Sequence, residues 1–587
     1  MDNYTFPYTP IILSDKILPF KWLRLYSFVV AQLDISGFCI NLIATNIKIY
    51  LNFLGPAGSA SNYICMMIMF ILWAIAGLVV LYIAYASWCH SYWKRKGVYT
   101  LHSTFLLGSL GPAILRKKTL SDTLLDLYKE AVSKNLKYAG FYMGMTPEYL
   151  IVDKELVREV TVKQFDHFTD RQPFARRNVD DLLARSLLSL KGDDWRKMRH
   201  NLSPAFTGSK LRGMTELMVQ IGVQFTKFVS SRSNPDEPLD MKVTFRRFAA
   251  DVIATTAFGT PSNSLQDSNS EFFVKGTSLM DFTGKRRRLV ILGYTLAPKL
   301  MQLLKIPFIP AELKDFFTNI ISQTIKYREE NNKSRPDMIQ LLIDERKAQI
   351  QKCKDANKPV DSDTIMSDLD ILAQAFTFFL AGFETVSALA SIICIVIAGQ
   401  ENVQKKLRLE VDVAFANSEG GKLTYDAIQG LKYLDMVIAE VQRLIPVAAF
   451  GDRVCTKDLH LPEFGITFKE GDIVGIPFYS FQVDKRYYED PEEFIPERFS
   501  EERKAKVPPF TYMPFGSGPR SCIGNRFGLL EVKIALAYTL AFFELELNTP
   551  DQYPIRLDRK KLDNAPIGGF LLKLRSREDP VVDPESL

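Results

Sequence analysis

The sequence predicts a helix-rich, mainly α chain carried behind a single N-terminal transmembrane helix, on three observations. Ile49 through Trp93 contain no Asp, Glu, Lys or Arg, and within that run Ile64–Trp88 is long enough to cross a hydrocarbon layer of about 30 Å as a helix. Helix-like stretches such as Leu211–Ser231 and Asp315–Asn332 are separated by the polar breaks Gly259–Asn269 and Cys353–Asp363. A third stretch, Ile371–Ala398, is as apolar as a membrane span yet carries Glu384 near its middle.

Taken in order, residues 1–62 hold no motif, only mixed apolar and turn residues with a weak hydrophobic stretch at Ile35–Leu54, and form an extension of unassigned role. The anchor, 63–93, ends in Trp88, Tyr92 and Trp93, aromatic residues suited to a membrane interface. Lys94-Arg95-Lys96 follow at once, whereas Lys48 is the only nearby cation upstream, so the bulk of the chain is expected on the cytoplasmic face. A cleaved signal peptide would need a shorter run nearer the start. Residues 94–112 are expected as a linker and 113–587 as one large domain. Within it, Lys285–Arg288 lead into LVILGYTLAPKLMQLLKIPFIP, a basic then apolar stretch fit to lie against a membrane or to pack as a helix pair on the core. For Ile371–Ala398 a carboxylate at mid-membrane would cost about 2.5 kcal/mol or more. A buried core helix is therefore expected.

Lys+Arg 73 against Asp+Glu 67 leaves +6 over 587 residues, too weak a bias for a nucleic-acid protein. Seven scattered cysteines without a CxxC pair make no disulfide framework, and the five histidines offer no zinc spacing. Chemistry concentrates in Phe515–Gly524, FGSGPRSCIG, which opens onto the helix-like run NRFGLLEVKIALAYTLAFF. A helix N-terminus aims free N–H groups at the Cys522 sulfur and favours thiolate. Gly516, Gly518 and Gly524 allow a tight turn and a close approach of backbone to a flat ligand. Arg520 supplies a cation two residues from the sulfur, suited to a carboxylate.

This segment resembles the haem-ligand signature of cytochromes P450, FxxGxRxCxG, at every fixed position from Phe515 to Gly524. Other family landmarks fall upstream in order. Ala381-Gly382-Phe383-Glu384-Thr385 is similar to the acid–threonine motif of the long distal helix, Glu440 and Arg443 to the ExxR motif, and Pro496-Glu497-Arg498-Phe499 to the PERF-type segment. Trp195 and Arg199 fit a WxxxR pattern, and Arg453 resembles an arginine that follows the ExxR helix. The likeness runs from about Lys94 to Leu587 and is nearest in detail to microsomal insect members that handle xenobiotics and hormones.

The resemblance implies a mainly α (α+β) cytochrome P450 fold with small β-sheets and, as cofactor, haem b (iron protoporphyrin IX). Cys522 becomes the ligand to iron; Phe515, Arg520, Gly524, Trp195, Arg199 and Arg453 become cofactor-binding residues. Glu384 and Thr385 become proton-delivery groups, and Glu440, Arg443 and Arg498 a buried structural network. Family position further implies substrate contacts from Phe174–Leu190, Phe376–Ala381, Val447–Phe450 and Ala565–Phe570, with Phe174, Phe376, Phe378, Phe379 and Phe450 lining an apolar cavity. The implied activity is insertion of one oxygen atom of O2 into lipophilic small molecules: xenobiotics, insecticides, plant toxins, or endogenous hormones and lipids. Electrons would come from NADPH through a separate NADPH–cytochrome P450 reductase, with cytochrome b5 as a second donor and Lys485, Arg486, Arg503, Lys504 and Lys506 as the docking face. The implied location is the endoplasmic reticulum membrane, single-pass, in contact with membrane lipid.

The chain departs from the family in the segment GVYTLHSTFLLGSLGP, which lacks the usual proline-rich hinge. Microsomal members also normally begin almost at the anchor; Met66, Met67 or Met69 would give such a start, so residues 1–65 are read as an extension or an uncommon isoform. Peptide mapping of native protein over Asp2–Lys48 decides that reading. The rival functions are a thiolate-haem isomerase or dehydratase, which typically lacks the acid–threonine pair, a non-catalytic membrane haem sensor, and a polytopic transporter.

Overall fold

A computed structural model describes residues 60–584, apart from 173–178, 235, 282–283, 297, 336, 358–364 and 562–563. Nearly all of the N-terminal extension and Phe174 of the expected cavity lie outside the described residues. The chain divides into two units, Met1–Tyr85 and Ala86–Leu587. The described part of the first lies on the helix Ala60–His90, of 31 residues. Its apolar side chains from Met67 to Tyr85 are largely exposed, as expected of a helix whose neighbours are lipid.

The second unit packs helices around two hydrophobic cores. One is built on the helices Gly208–Ser230, Met241–Ile253, Asp368–Ala398 and Asn525–Phe542. Asp368–Ala398, the second stretch with membrane-like hydropathy, is a core helix that packs most extensively against Met241–Ile253. A reciprocal cap starts it: the Ser367 Oγ accepts from the Asp370 N–H at 3.1 Å, and the Ser367 N–H donates to the Asp370 carboxylate at 3.0 Å.

The other core lies on a four-stranded sheet of order β1-β2-β7-β4, formed by Tyr138–Met143, Thr146–Ile151, Ile473–Ile476 and Gly451–Val454. Its β1–β2 hairpin pairs Phe141 with Glu148, and β4 runs antiparallel to β7 with Asp452 opposite Gly475. Leu239–Asp240 (β3), Phe543–Leu547 (β8) and Leu571–Ser576 (β9) make a three-stranded sheet, and Leu459–Leu461 (β5) pairs with Ile466–Phe468 (β6).

Two expectations change here. Trp93, read as an interfacial anchor, is 1% exposed. Its indole Nε1–H donates to the Phe141 carbonyl at 3.1 Å, and its ring lies so close over Gly140 that a Cβ there would overlap it. Hydropathy scores an aromatic slot and a membrane interface alike. Residues 94–112, read as a linker, join the sheet: Leu101 N–H donates to Gly140 O, Thr100 bridges Gly140, and Lys96 pairs with Asp472 at 3.2 Å.

Candidate active site

The cysteine loop is shaped by backbone before any side chain acts. Gly516 and Gly518 adopt φ of +74° and +72°, the left-handed region open to glycine. The loop closes through Ser521 N–H to Gly518 O and Cys522 N–H to Phe515 O, both at 2.9 Å, and Gly524 caps the helix Asn525–Phe542. Gly518 is pressed against Glu159–Lys163, where a Cβ would overlap the Thr161 carbonyl oxygen. Cys522 is exposed at the mouth of this turn. The surrounding chain still desolvates it enough to raise its thiol, while the Gly524 N–H, Arg199 and Arg171 act in the opposite sense and favour the anion.

Guanidinium groups ring the loop. Arg199 donates to Ser521 O at 2.9 Å, and Arg453 to Ser517 O at 3.0 Å and to its neighbour's carbonyl, Asp452 O, at 2.7 Å. Arg520 is committed more deeply: it donates to Thr169 O, Leu187 O and Leu190 O and lies over the Trp195 ring at 4.2 Å. Burial lowers both Arg453 and Arg520 to about 9, and the nearby charge of Arg171 pushes the same way. Arg171, absent from the sequence reading, donates to Arg520 O at 3.2 Å. It belongs to no spaced motif, so no sequence signal pointed to it. The Nε atoms of Arg171 and Arg453 have no hydrogen-bond partner among the described residues. Three crowded cations beside an exposed thiol, with two guanidinium N–H groups unsatisfied, fit a flat ligand bearing carboxylates at one edge.

On the Asp368–Ala398 helix, Ala381 and Thr385 are exposed although Phe383 and Val386 between and beside them are buried. The exposed residues share one face by their i,i+4 spacing. The Thr385 hydroxyl donates to Ala381 O at 2.6 Å. Glu384 turns elsewhere: it pairs with Lys242 at 2.7 Å and takes two bonds from Arg246 at 2.9 and 2.7 Å, so two cations of the Met241–Ile253 helix hold it. The structure does not place the Glu384 carboxylate in contact with Thr385.

Glu440 and Arg443 are both 0% exposed and pair through two bonds of 2.8 Å. Arg498 reaches Glu440 at 3.2 Å, and Arg443 also donates to the carbonyls of Gln482, Pro491 and Glu493. The network therefore clasps the irregular chain that leads into the cysteine loop.

Of the aromatic residues assigned to a cavity, Phe376 and Phe379 are closed into a core cluster with Phe258, Phe272 and Phe317. Phe378 is half-buried, edge-on to Phe206, and Phe450 is edge-on to Phe141. Helical spacing placed Phe376, Phe378 and Phe379 on one element without telling which face opens inward. The assigned docking cations Lys485, Arg486, Arg503, Lys504 and Lys506 are all exposed, and Arg486 is also tied to Asp484 at 2.7 Å and lies over Tyr128.

The family model for cytochrome P450 matches residues 110–571. The chain is 37% identical over 526 residues to cytochrome P450 9e2 of Blattella germanica, an alignment covering 86% of this chain and 98% of that relative. It is also 37% identical to the probable cytochrome P450 9f2 of Drosophila melanogaster, over 86% of this chain and 99% of the relative. Against cytochrome P450 6k1 of Blattella germanica the identity is 33%, over 85% and 95%.

Proposed function

Because the chain belongs to the cytochrome P450 family, whose members are haem-dependent monooxygenases, we propose that Cys522 is the thiolate ligand of its haem and that the protein oxygenates lipophilic small molecules. The observation that carries this reading is the exposed Cys522 beside half-buried Arg171 and buried Arg453 and Arg520. When bound, a haem with a thiolate ligand supplies dioxygen activation.

The chain's own residues divide the remaining work. Arg171 and Arg453 offer unsatisfied N–H groups to the two propionates of haem b, while Arg199 holds the Ser521 carbonyl of the loop that aims the sulfur and Arg520 ties that loop to the carbonyls of Thr169, Leu187 and Leu190. Trp195 supports Arg520 from below, and Phe515 and Gly524 bound the loop at its two ends. Thr385, exposed on the distal helix, orients water and passes protons inward, its hydroxyl already fixed by Ala381 O. Glu384, held by Lys242 and Arg246, acts as a charged relay at the outer end of that path. Phe378, Phe450, Val447 and Ile567 present apolar surface to the substrate.

Electrons arrive from NADPH–cytochrome P450 reductase, with cytochrome b5 as a second donor, on the face that carries Lys485, Arg503, Lys504 and Lys506. The Ala60–His90 helix holds the enzyme to the endoplasmic reticulum membrane with residues 113–587 as the cytoplasmic catalytic domain. Leu289, Leu303 and Leu304, 68%, 77% and 59% exposed beside Arg286, Arg288 and Lys305, rest against lipid.

The test is the reduced, carbon monoxide difference spectrum of microsomes carrying wild type or Cys522→Ala. The long-wavelength Soret band of a thiolate-ligated haem is expected in wild type alone. Its absence from folded wild type, or its persistence in Cys522→Ala, defeats the reading.

A further inference from the structure

Glu148 is an acid where a strand interior usually holds an apolar residue. It lies on β2, fully buried, opposite Phe141. Its one polar partner among the described residues is Gln172, whose Nε2 donates to Oε1 at 2.6 Å, while Oε2 has none. The Gln172 backbone N–H donates to Asp452 at 2.7 Å, so the residue is gripped by a carboxyl from β2 and another from β4. Asp170, on the other side of Arg171, is tied as firmly: its carbonyl accepts from Val454 N–H and its carboxylate from Gly192 N–H, both at 2.8 Å. Arg171 therefore leaves a strap fastened at both neighbours.

We propose that Glu148 is a positioning residue: through Gln172 it sets the direction in which Arg171 is presented beside the cysteine loop. This rests on the reading that Arg171 meets an acidic edge of the haem. A buried carboxyl has a large desolvation cost and contributes little as simple packing, so it is expected to be retained for the bond it makes. Burial pushes its titration up to about 8; the Gln172 bond works against that rise, and Asp452, the charged group facing it from β4, adds to it. Near neutral pH the acid is mostly protonated and accepts from Gln172 without bringing charge to the strap. Ionised, it accepts from Gln172 more strongly, so the bond that holds the strap does not depend on its protonation state.

Three holoenzyme variants test this: Glu148→Gln, which keeps the acceptor and stays neutral; Glu148→Leu, which deletes it; and the exchange Glu148→Gln with Gln172→Glu, which reverses donor and acceptor. The readouts are the rate of haem transfer to apomyoglobin and hydrogen exchange of residues 169–172. Glu148→Leu should lose haem on the order of tenfold faster, the equivalent of one hydrogen bond, and the exchange variant should recover most of that loss. Glu148→Gln, which keeps the acceptor, should stay within about twofold of wild type in both readouts. Should Glu148→Leu not fold, Gln172→Leu, which deletes the donor instead, decides in its place and should lose haem at the same faster rate. Either leucine variant matching wild type in both readouts, or an exchange variant that recovers none of the loss, overturns the proposal. If Cys522→Ala keeps the thiolate band, the haem reading fails instead, and hydrogen exchange of 169–172 still judges the strap.

Discussion

At the scale of single residues, burial decides what each charge is doing. Glu440 and Arg443 share an interior position with no solvent to replace either partner. Breaking a buried pair typically costs about 3–5 kcal/mol because the surviving charge is stranded. Arg443→Ala should therefore yield little haem-loaded protein, and Arg443→Lys, which cannot span Glu440 and three carbonyls at once, should recover only part of it by the carbon monoxide spectrum. Glu531 is the contrasting case: it is wholly buried and neither carboxyl oxygen has a hydrogen-bond partner among the described residues. Burial raises its titration well above the ordinary carboxylate range, so the folded state holds the neutral acid. Stability is then intact below the ordinary carboxylate value and is lost as pH climbs towards the raised one, by up to about 1.4 kcal/mol per unit. Glu531→Gln should match wild type near pH ~4.5 and melt progressively higher than it as pH rises; parallel melting profiles would refute this. Thr385 is exposed and, among the described residues, bonded only to its own helix, so Thr385→Ala should leave the spectrum unchanged while lowering product formed per NADPH consumed.

At the scale of elements, the glycines of the cysteine loop separate what the protein requires from what its ligand requires. Gly518 has both a left-handed φ and a Cβ direction blocked by Thr161 O, so Gly518→Ala should distort the loop and abolish haem loading with helix content by circular dichroism unchanged. Gly524 is different. Its φ is −91° and a Cβ there would meet only Phe206 at 3.6 Å, an ordinary contact. Packing alone admits alanine, so Gly524→Ala should keep the fold and weaken haem retention, the sign that a flat ligand and not the chain needs the space. Such local features were readable beforehand: glycine spacing, the i,i+3 pair of Glu440 and Arg443, and the apolar run broken by Glu384 each leave a pattern along the chain. Long-range partnerships leave none. Arg171 reaches Arg520 across 349 positions and Gln172 reaches Asp452 across 280, and nothing in the spacing of either pair predicts that they meet. The ion pair that turns Glu384 towards Lys242 was hidden for the same reason.

For the whole molecule, the point where the chain after the apolar helix enters the folded domain is set by packing and not by hydropathy. The Ala60–His90 helix, 31 residues at 1.5 Å each, is about 46 Å long, more than a bilayer core requires. Sequence alone ends the anchor at Trp93, yet Trp93 is part of the sheet's core, hydrogen-bonded to Phe141 O and seated on Gly140, with Tyr149 edge-on at 4.5 Å. Lys96, paired with Asp472, closes the same corner. A chain with no proline-rich hinge thus enters its domain through a keyed aromatic. Two truncations separate the possibilities. One beginning at Ala86 removes the exposed apolar helix and keeps Trp93; it should leave carbonate-washed membranes, remain haem-loaded, and still bind anionic vesicles weakly through the leucines around Leu289 and Leu303. One beginning at Gly97 removes the key as well. Losing a buried tryptophan typically costs about 3–5 kcal/mol, so the shorter form should melt well below the longer one and shed haem sooner. Equal melting of the two would mean that Trp93 is dispensable and that the domain proper begins after Lys96.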